Sequence, residues 1–247
     1  MKITPPLSIM FRAHYRVSPD FSSSLNDDLG KLFELRRHLR QLSPALDEWF
    51  LGGNSKENAL LYPAFDEGGP TTEALAVLTA RRQNKTASAF SRVIGLWNGE
   101  ERSEGATMGC VTRQGPEPSI VHFETEIIDF LNYPDVSSTV RKLVEIWHPM
   151  FVSVEPTFYE PVFKDRPSVG WMLYLPRILT SQQVPEARAL LPVMDRDEKH
   201  KQRQLGTIIV TVTDAAFSDQ NPEHLAIAHA VEIRLVDQDL LPRFADL

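Results

Sequence analysis

The sequence predicts an α+β protein with an antiparallel or mixed sheet, built as a strand meander flanked by amphipathic helices. Short β-like runs occur in groups, isolated helical stretches separate these groups, and strand and helix do not alternate regularly along the 247 residues. A parallel sheet requires that alternation, because each parallel strand must be joined to the next by a crossover. Pairing of neighbouring strands through short turns is therefore favoured.

The first predicted element is a strand over residues 9–17, in which apolar and polar side chains alternate. A helix follows, with Ser24 as its N-cap, acidic residues in its first turn and apolar side chains at helical spacing up to Leu42. Gly30 lies inside this helix. Because glycine costs about 1 kcal/mol relative to alanine there, we expect it to mark a close packing contact.

The middle of the chain predicts a turn, a helix and a strand meander. Residues 43–55 indicate a helical turn that places Trp49 in the core and ends in a bend permitted by glycine. Thr71 or Thr72 caps a helix that runs to about residue 84. The three strands of the meander are predicted at 90–97, 108–113 and 120–123.

The C-terminal half predicts two further helices and three more strands. Ser138 introduces one helix, which stops at Pro149, and the pair Asn221 and Pro222 opens the other. Residues 181–204 are rich in proline and charge, so we predict an exposed loop or insertion. The strands are predicted at 151–155, 170–175 and 207–213. The length predicts a single domain over 1–247, with two tightly fused halves as the alternative.

Composition excludes several classes of function. The formal charge of −7 and the pI near 5.5 have the wrong sign for a protein that neutralises phosphates, so we expect no direct contact with nucleic acid. The N-terminal residues lack the apolar run of a signal peptide, and no stretch is apolar over the length of a membrane span. With Cys110 as the only cysteine, we expect a protein of the reducing cytoplasm.

The sequence predicts no catalytic, cofactor-binding or metal-binding residues. It contains no nucleophile elbow and no glycine-rich phosphate loop, and its seven histidines are scattered. One catalytic alternative stays open. Cys110 and His122 lie on neighbouring β-like runs, where they could form a dyad of a hydrolase with a nonstandard site.

Two acidic segments are candidates for a partner interface. Glu100, Glu101 and Glu104 lie in a hairpin-like turn over residues 98–105, and Asp66 and Glu67 form a second acidic pair. Carboxylates in exposed turns are often only solvated. As an alternative, such carboxylates bind lysine and arginine clusters on a basic partner.

Three blocks resemble the immunity protein 52 family of bacterial polymorphic-toxin systems: residues 49–57, 169–176 and 217–230. The resemblance implies an α+β protein that neutralises a toxin of restriction-endonuclease-like fold, often one delivered by type VI secretion. It also implies a set of signature residues that we expect to serve the fold more than the interface. These residues are Trp49, Gly52, Gly53, Gly170 and Trp171.

The resulting hypothesis is a cytoplasmic immunity protein that binds a cognate toxin or effector through the toxin's nuclease domain, without catalysis, cofactors or membrane contact. The acidic balance, the absence of catalytic patterns and the resemblance all favour it. An enzyme that uses Cys110 and His122 and an adaptor of a secretion apparatus are the alternatives.

Overall fold

A computed structural model of the chain describes residues 7–17, 23–83, 91–196 and 202–247. Within these ranges the chain forms nine strands, five α-helices and four short 3₁₀ turns. The strands are β1 (Ile9–Tyr15), β2 (Phe50–Leu51), β3 (Ser91–Trp97), β4 (Ala106–Arg113), β5 (Ser119–Thr125), β6 (Phe151–Pro156), β7 (Met172–Leu175), β8 (Ala189–Arg196) and β9 (Gln202–Val210). The helices are α1 (Leu25–Leu42), α2 (Lys56–Leu60), α3 (Thr72–Gln83), α4 (Tyr133–Trp147) and α5 (Pro222–Asp237). The 3₁₀ turns are Pro44–Leu46, Arg102–Glu104, Ile128–Phe130 and Phe244–Asp246.

The nine strands are ordered β2-β3-β4-β5-β1-β6-β7-β9-β8 in the sheet. The strand pairs β2–β3, β3–β4, β4–β5, β6–β7, β7–β9 and β8–β9 are all antiparallel. The predicted α+β class with an antiparallel sheet is therefore confirmed. The chain divides into two compact units, and the described part of the first is residues 14–17, 23–83 and 91–130. The second unit consists of residues 7–13 and the described residues from 131 onwards.

In the first unit, α1 lies against β4 and buries one apolar face. The predicted cap is present, because Ser24 Oγ accepts a hydrogen bond from the Asp27 amide at 3.2 Å while the Asp27 carboxylate accepts one from the Ser24 amide at 2.7 Å. The expectation for Gly30 is wrong. A Cβ built at this position meets no atom within 4 Å, so no close contact requires the glycine.

The predicted meander is formed by β3, β4 and β5. Their register pairs Ile94 with Cys110 and Cys110 with Val121, all with side chains on the buried face of the sheet. Alternation of burial continues along β5, as expected for a strand with one face on the core. Residue 90, the first of the predicted run, lies outside the described residues.

In the second unit, α4 begins earlier than the sequence predicts. Asn132 is the N-cap, since its side chain accepts a hydrogen bond from the Asp135 amide at 3.0 Å, and Pro134 lies in the first turn. Ser138 is therefore inside the helix. The predicted end is confirmed, because α4 stops at Trp147 and His148 adopts the left-handed conformation before the proline.

The prediction of an exposed loop over residues 181–204 is wrong for residues 189–196 and 202–204. Residues 189–196 form β8, and residues 202–204 belong to β9, to which β8 is paired. Residues 197–201 lie outside the described residues. The composition was misleading because β8 is the last strand in the sheet order, and an edge strand tolerates both charges and the proline at position 192.

Candidate functional site

Trp49, from the first signature block, is buried in the core of the first unit as predicted. Its indole Nε1 donates to the Leu46 carbonyl at 2.9 Å. Its ring lies edge-on to Phe123, with 6.4 Å between the ring centroids. The side chain thus attaches the 3₁₀ turn at Pro44–Leu46 to the sheet.

The two glycines that follow differ in their surroundings. A Cβ built on Gly53 would lie 2.7 Å from the Ala59 amide nitrogen, so α2 can approach the bend only because position 53 has no side chain. Gly52 is exposed, and a Cβ there meets no atom within 4 Å. Ser55 caps α2 by accepting a hydrogen bond from the Asn58 amide at 3.2 Å.

Gly170 and Trp171, from the second block, are buried in the second unit. Gly170 has φ +50, and a Cβ there would lie 2.6 Å from Glu155 Cβ and 2.8 Å from the Val154 carbonyl oxygen. Trp171 donates its amide to Val154 and its indole Nε1 to the Val212 carbonyl, both at 2.8 Å. This block therefore joins three segments of the second unit.

The third block supports the loop at residues 157–169. Phe217 lies edge-on to Tyr159, with 5.8 Å between ring centroids, and its ring centroid is 5.5 Å from that of His224. Asn221 caps α5, as predicted, by accepting a hydrogen bond from the Glu223 amide at 3.0 Å. The third block thus packs against Tyr159 of the loop, and the second block begins at Val169, where the loop ends.

Glu232, in α5, also contacts this loop and is not identified from the sequence. It is buried, and its carboxylate accepts hydrogen bonds from the Tyr159 hydroxyl at 2.9 Å and from the amides of Val162 at 2.7 Å and Val169 at 3.0 Å. One side chain of α5 therefore binds the loop at three positions, of which Val169 is its last residue. A signal existed in the sequence, because the glutamate follows Val231 within the apolar face of the helix.

Glu155 lies in the same part of the second unit, and its Oε2 is buried with no hydrogen-bond partner among the described residues. Burial raises the pKa of this carboxyl group, and the charge of Glu232 adds to the effect. Ser168 and Arg12, whose guanidinium is 3.6 Å away, act in the opposite direction without cancelling it. The ionised form is therefore disfavoured in the folded protein.

We expect Glu155→Gln to raise the melting temperature at pH 7.5. The pKa of Glu155 is higher in the folded than in the unfolded chain. The wild type therefore loses stability as the pH rises above the pKa that the carboxyl group has in the unfolded chain, whereas the amide of the variant does not ionise. Thermal unfolding across the pH range measures the difference, which should shrink below the ordinary glutamate pKa of about 4.3. An equal difference at acidic and neutral pH would contradict this account of Glu155.

The structure contradicts the proposed dyad of Cys110 and His122. Cys110 is the register partner of Val121, whereas His122 is the partner of Gly109, so the two side chains point to opposite faces of the sheet. A Cβ built on Gly109 would lie 2.9 Å from His122 Cε1, which places the imidazole over that glycine. Burial raises the pKa of the Cys110 thiol to about 12, so the thiolate that a nucleophile requires is disfavoured.

The acidic turn between β3 and β4 is fixed by Asn98, which is buried. The Asn98 side chain donates to the carbonyls of Glu104 at 2.8 Å and Ala45 at 3.0 Å, and accepts from the Ala106 amide at 2.9 Å. Glu100, Glu101 and Glu104 are exposed. The three predicted carboxylates are thus presented by a turn with a defined backbone.

The second acidic pair has partners in α1 and in its own turn. Asp66 Oδ1 accepts hydrogen bonds from the amides of Gly68 at 2.7 Å and Gly69 at 2.9 Å, which is a turn-forming role. Glu67 is 3.3 Å from the guanidinium of Arg40. In the turn at 98–105, Glu101 also has a basic neighbour, Lys56 of α2 at 3.8 Å.

Each unit contains a pocket of its own. In the first unit, residues 43–45, 103–104 and 127–129 enclose a volume of about 470 Å³. In the second, α4 and the β8–β9 hairpin line a larger pocket of about 660 Å³, whose charged side chains carry both signs. Within the described ranges, no group of three or more His, Cys, Asp or Glu side chains is arranged to hold a metal ion.

The described helices include none with the length and apolar character that a bilayer crossing requires. The fold thus defines an α+β protein with an antiparallel sheet. The chain belongs to the immunity protein 52 family, whose model matches residues 24–243, and the resemblance inferred from the sequence is confirmed.

Among solved structures, the chain is similar to the T6SS protein PA0821 of Pseudomonas aeruginosa. The TM-score is 0.53 at 11% sequence identity, and the match covers 96% of this chain and 76% of that chain. At this identity the similarity extends to the fold alone. No curated protein matches the sequence.

Proposed function

We propose that this protein is a cytoplasmic immunity protein that binds a cognate toxin through the toxin's nuclease domain and neutralises it without catalysis. The observation that carries the proposal is membership of the immunity protein 52 family over residues 24–243. Immunity requires a stable complex and no chemistry by the inhibitor. The burial of Cys110 and its separation from His122 agree with this, because they remove the one dyad that the sequence had left open.

Charge supports the choice of a nuclease as the target. A nuclease needs cationic side chains to bind the phosphates of its substrate, and an acidic protein is attracted to the same surface. The net charge here is −7, and Glu100, Glu101 and Glu104 are exposed on one turn. We assign the contact with the toxin to this turn in preference to the pair Asp66 and Glu67, because the Asp66 carboxylate accepts two amide hydrogen bonds of its own turn and Glu67 lies 3.3 Å from Arg40. Within the turn, Glu101 has a more distant partner, Lys56 at 3.8 Å.

The fold of the T6SS protein from Pseudomonas aeruginosa supports a toxin delivered by type VI secretion. The same similarity leaves a second candidate function, an adaptor of the secretion apparatus. An adaptor would bind components of that apparatus and give no protection against a toxin.

Co-expression with the toxin candidate encoded beside this protein's gene tests the proposal. We expect the toxin alone to arrest growth, the pair to grow, and the two chains to co-purify when the toxin carries an inactivated nuclease site. Continued arrest without co-purification would reject the proposal. Capture of secretion components without protection would instead favour the adaptor.

A further inference from the structure

The pocket of the first unit lies where three 3₁₀ turns from distant parts of the chain meet. Its walls are residues 43–45, 103–104 and 127–129. Asn98 ties the first two turns together by donating to the carbonyls of both Ala45 and Glu104. The third is attached nearby, because the Glu126 amide donates to the Gly105 carbonyl at 3.1 Å. The pocket is therefore held open by hydrogen bonds within the fold itself.

The chemistry of the lining combines negative charge with apolar surface. Glu104 and Asp129 are the ionisable residues of the lining, so the pocket contains two acids and no base. Pro44, Ala45 and Ile127 supply apolar contact, and Ser43 and Ser103 supply hydroxyl groups. A long cationic side chain fits this pattern, since its methylene stem packs on apolar surface while its head binds carboxylates.

Ile128, which also lines this pocket, indicates that the region is a contact surface. Its side chain is 74% exposed, the highest exposure among the large hydrophobic residues of the described ranges. Single exposed apolar residues are common and need no explanation by themselves. This one, however, lies at the rim of a preformed acidic pocket, where an apolar side chain can exclude water from a bound ion pair.

On these grounds we propose that the pocket receives an arginine or lysine side chain presented by the toxin, with Ile128 packing beside it. The inference rests on the proposed function and adds the residues and the chemistry of the contact. It also revises the role of the acidic turn. Glu104 forms one wall of a receptor into which a basic side chain of the partner is inserted.

The pocket of the second unit is less suited to one class of ligand. Its lining combines Arg141 and His148 with Glu145 and Asp195, so it selects neither cations nor anions. Arg141 is also engaged, since its guanidinium donates to the Pro192 carbonyl at 2.6 Å. The charged residues that line the pocket of the first unit, by contrast, are all acidic.

Binding of the full-length protein to the nuclease-inactivated toxin encoded beside its gene tests the inference. We expect the double variant Glu104→Lys/Asp129→Lys to bind roughly 30-fold more weakly or worse, as reversal of desolvated interfacial charges does. Ile128→Ser should weaken binding roughly tenfold. Isothermal titration calorimetry measures both, and an unchanged melting temperature verifies that each variant is folded.

The matched control is Glu67→Lys/Glu73→Lys, which makes the same change in net charge at exposed positions of the first unit outside the pocket. It should bind like the wild type. Equal weakening in both double variants would reject the pocket in favour of long-range charge attraction. Should Asp129→Lys impair folding, the neutral pair Glu104→Gln/Asp129→Asn gives the same comparison.

The two proposals fail differently. If the wild type binds the toxin and the pocket variants bind equally well, the pocket is not the contact and the immunity function stands. If the wild type neither binds nor protects, the proposed function is rejected and the inference with it. Rising salt should weaken binding of the wild type more than that of the pocket variants, because salt screens a charge attraction that the variants no longer have.

Discussion

Gly170→Ala is expected to destabilise the folded chain by about 2–5 kcal/mol. Two independent effects add at this position. The backbone has φ +50, where a residue with a Cβ is strained, and the added methyl group would lie 2.6 Å from Glu155 Cβ and 2.8 Å from the Val154 carbonyl. Neither contact is with the far end of a flexible side chain, so relief requires movement of β6. Urea unfolding of the purified variant measures the loss.

Gly52→Ala is the matched control, because it makes the same change at a second signature glycine. Gly52 is exposed and a Cβ there has open space, so the free energy of unfolding should change by less than about 0.5 kcal/mol. If both variants were equally stable, close packing could not be the reason for glycine at position 170.

Local patterns predict those elements whose signals are local. The alternation of β1, the cap at Ser24 and the pair Asn221 and Pro222 each depend on a few adjacent residues, and each is present as predicted. The strands β3, β4 and β5 were recognised because turn-forming residues separate them. In all these cases the side chains that decide the structure are neighbours in sequence.

The errors arose where the decisive interaction is distant or depends on position in the sheet. Residues 189–196 have the composition of a loop and form a strand because β9 pairs with them at the edge of the sheet. Ser138 resembles a cap, but Asn132 already supplies the cap of α4 six residues earlier. Composition alone does not decide between two competing caps.

The candidate site was predicted in part. The exposed carboxylates of the turn at 98–105 were identified from the sequence, whereas the pocket beside them was not. Its other walls come from residues 43–45 and 127–129, and the hydrogen bonds of Asn98 bring the first of these to the turn. No spacing along the chain indicates that these segments meet.

Glu232→Ala is expected to destabilise the second unit by about 3 kcal/mol or more, because three hydrogen-bond donors lose a buried acceptor. The amides of Val162, in the middle of the loop over residues 157–169, and of Val169, at its end, would lose their partner. The loop should therefore open locally before the chain unfolds. Urea unfolding measures the stability, and hydrogen exchange measures the protection of the two amides.

Two control variants, measured in the same way, distinguish loss of the carboxylate from loss of a hydrophobic contact. Tyr159→Phe removes one donor and keeps the ring that packs on Phe217, so it should cost only about 1 kcal/mol and leave both amides protected. Glu223→Ala, on the exposed face of α5, should change the stability by a few tenths of a kcal/mol. Unchanged protection of Val162 and Val169 in Glu232→Ala would show that packing of Tyr159 against Phe217, and not the carboxylate, holds the loop to the helix.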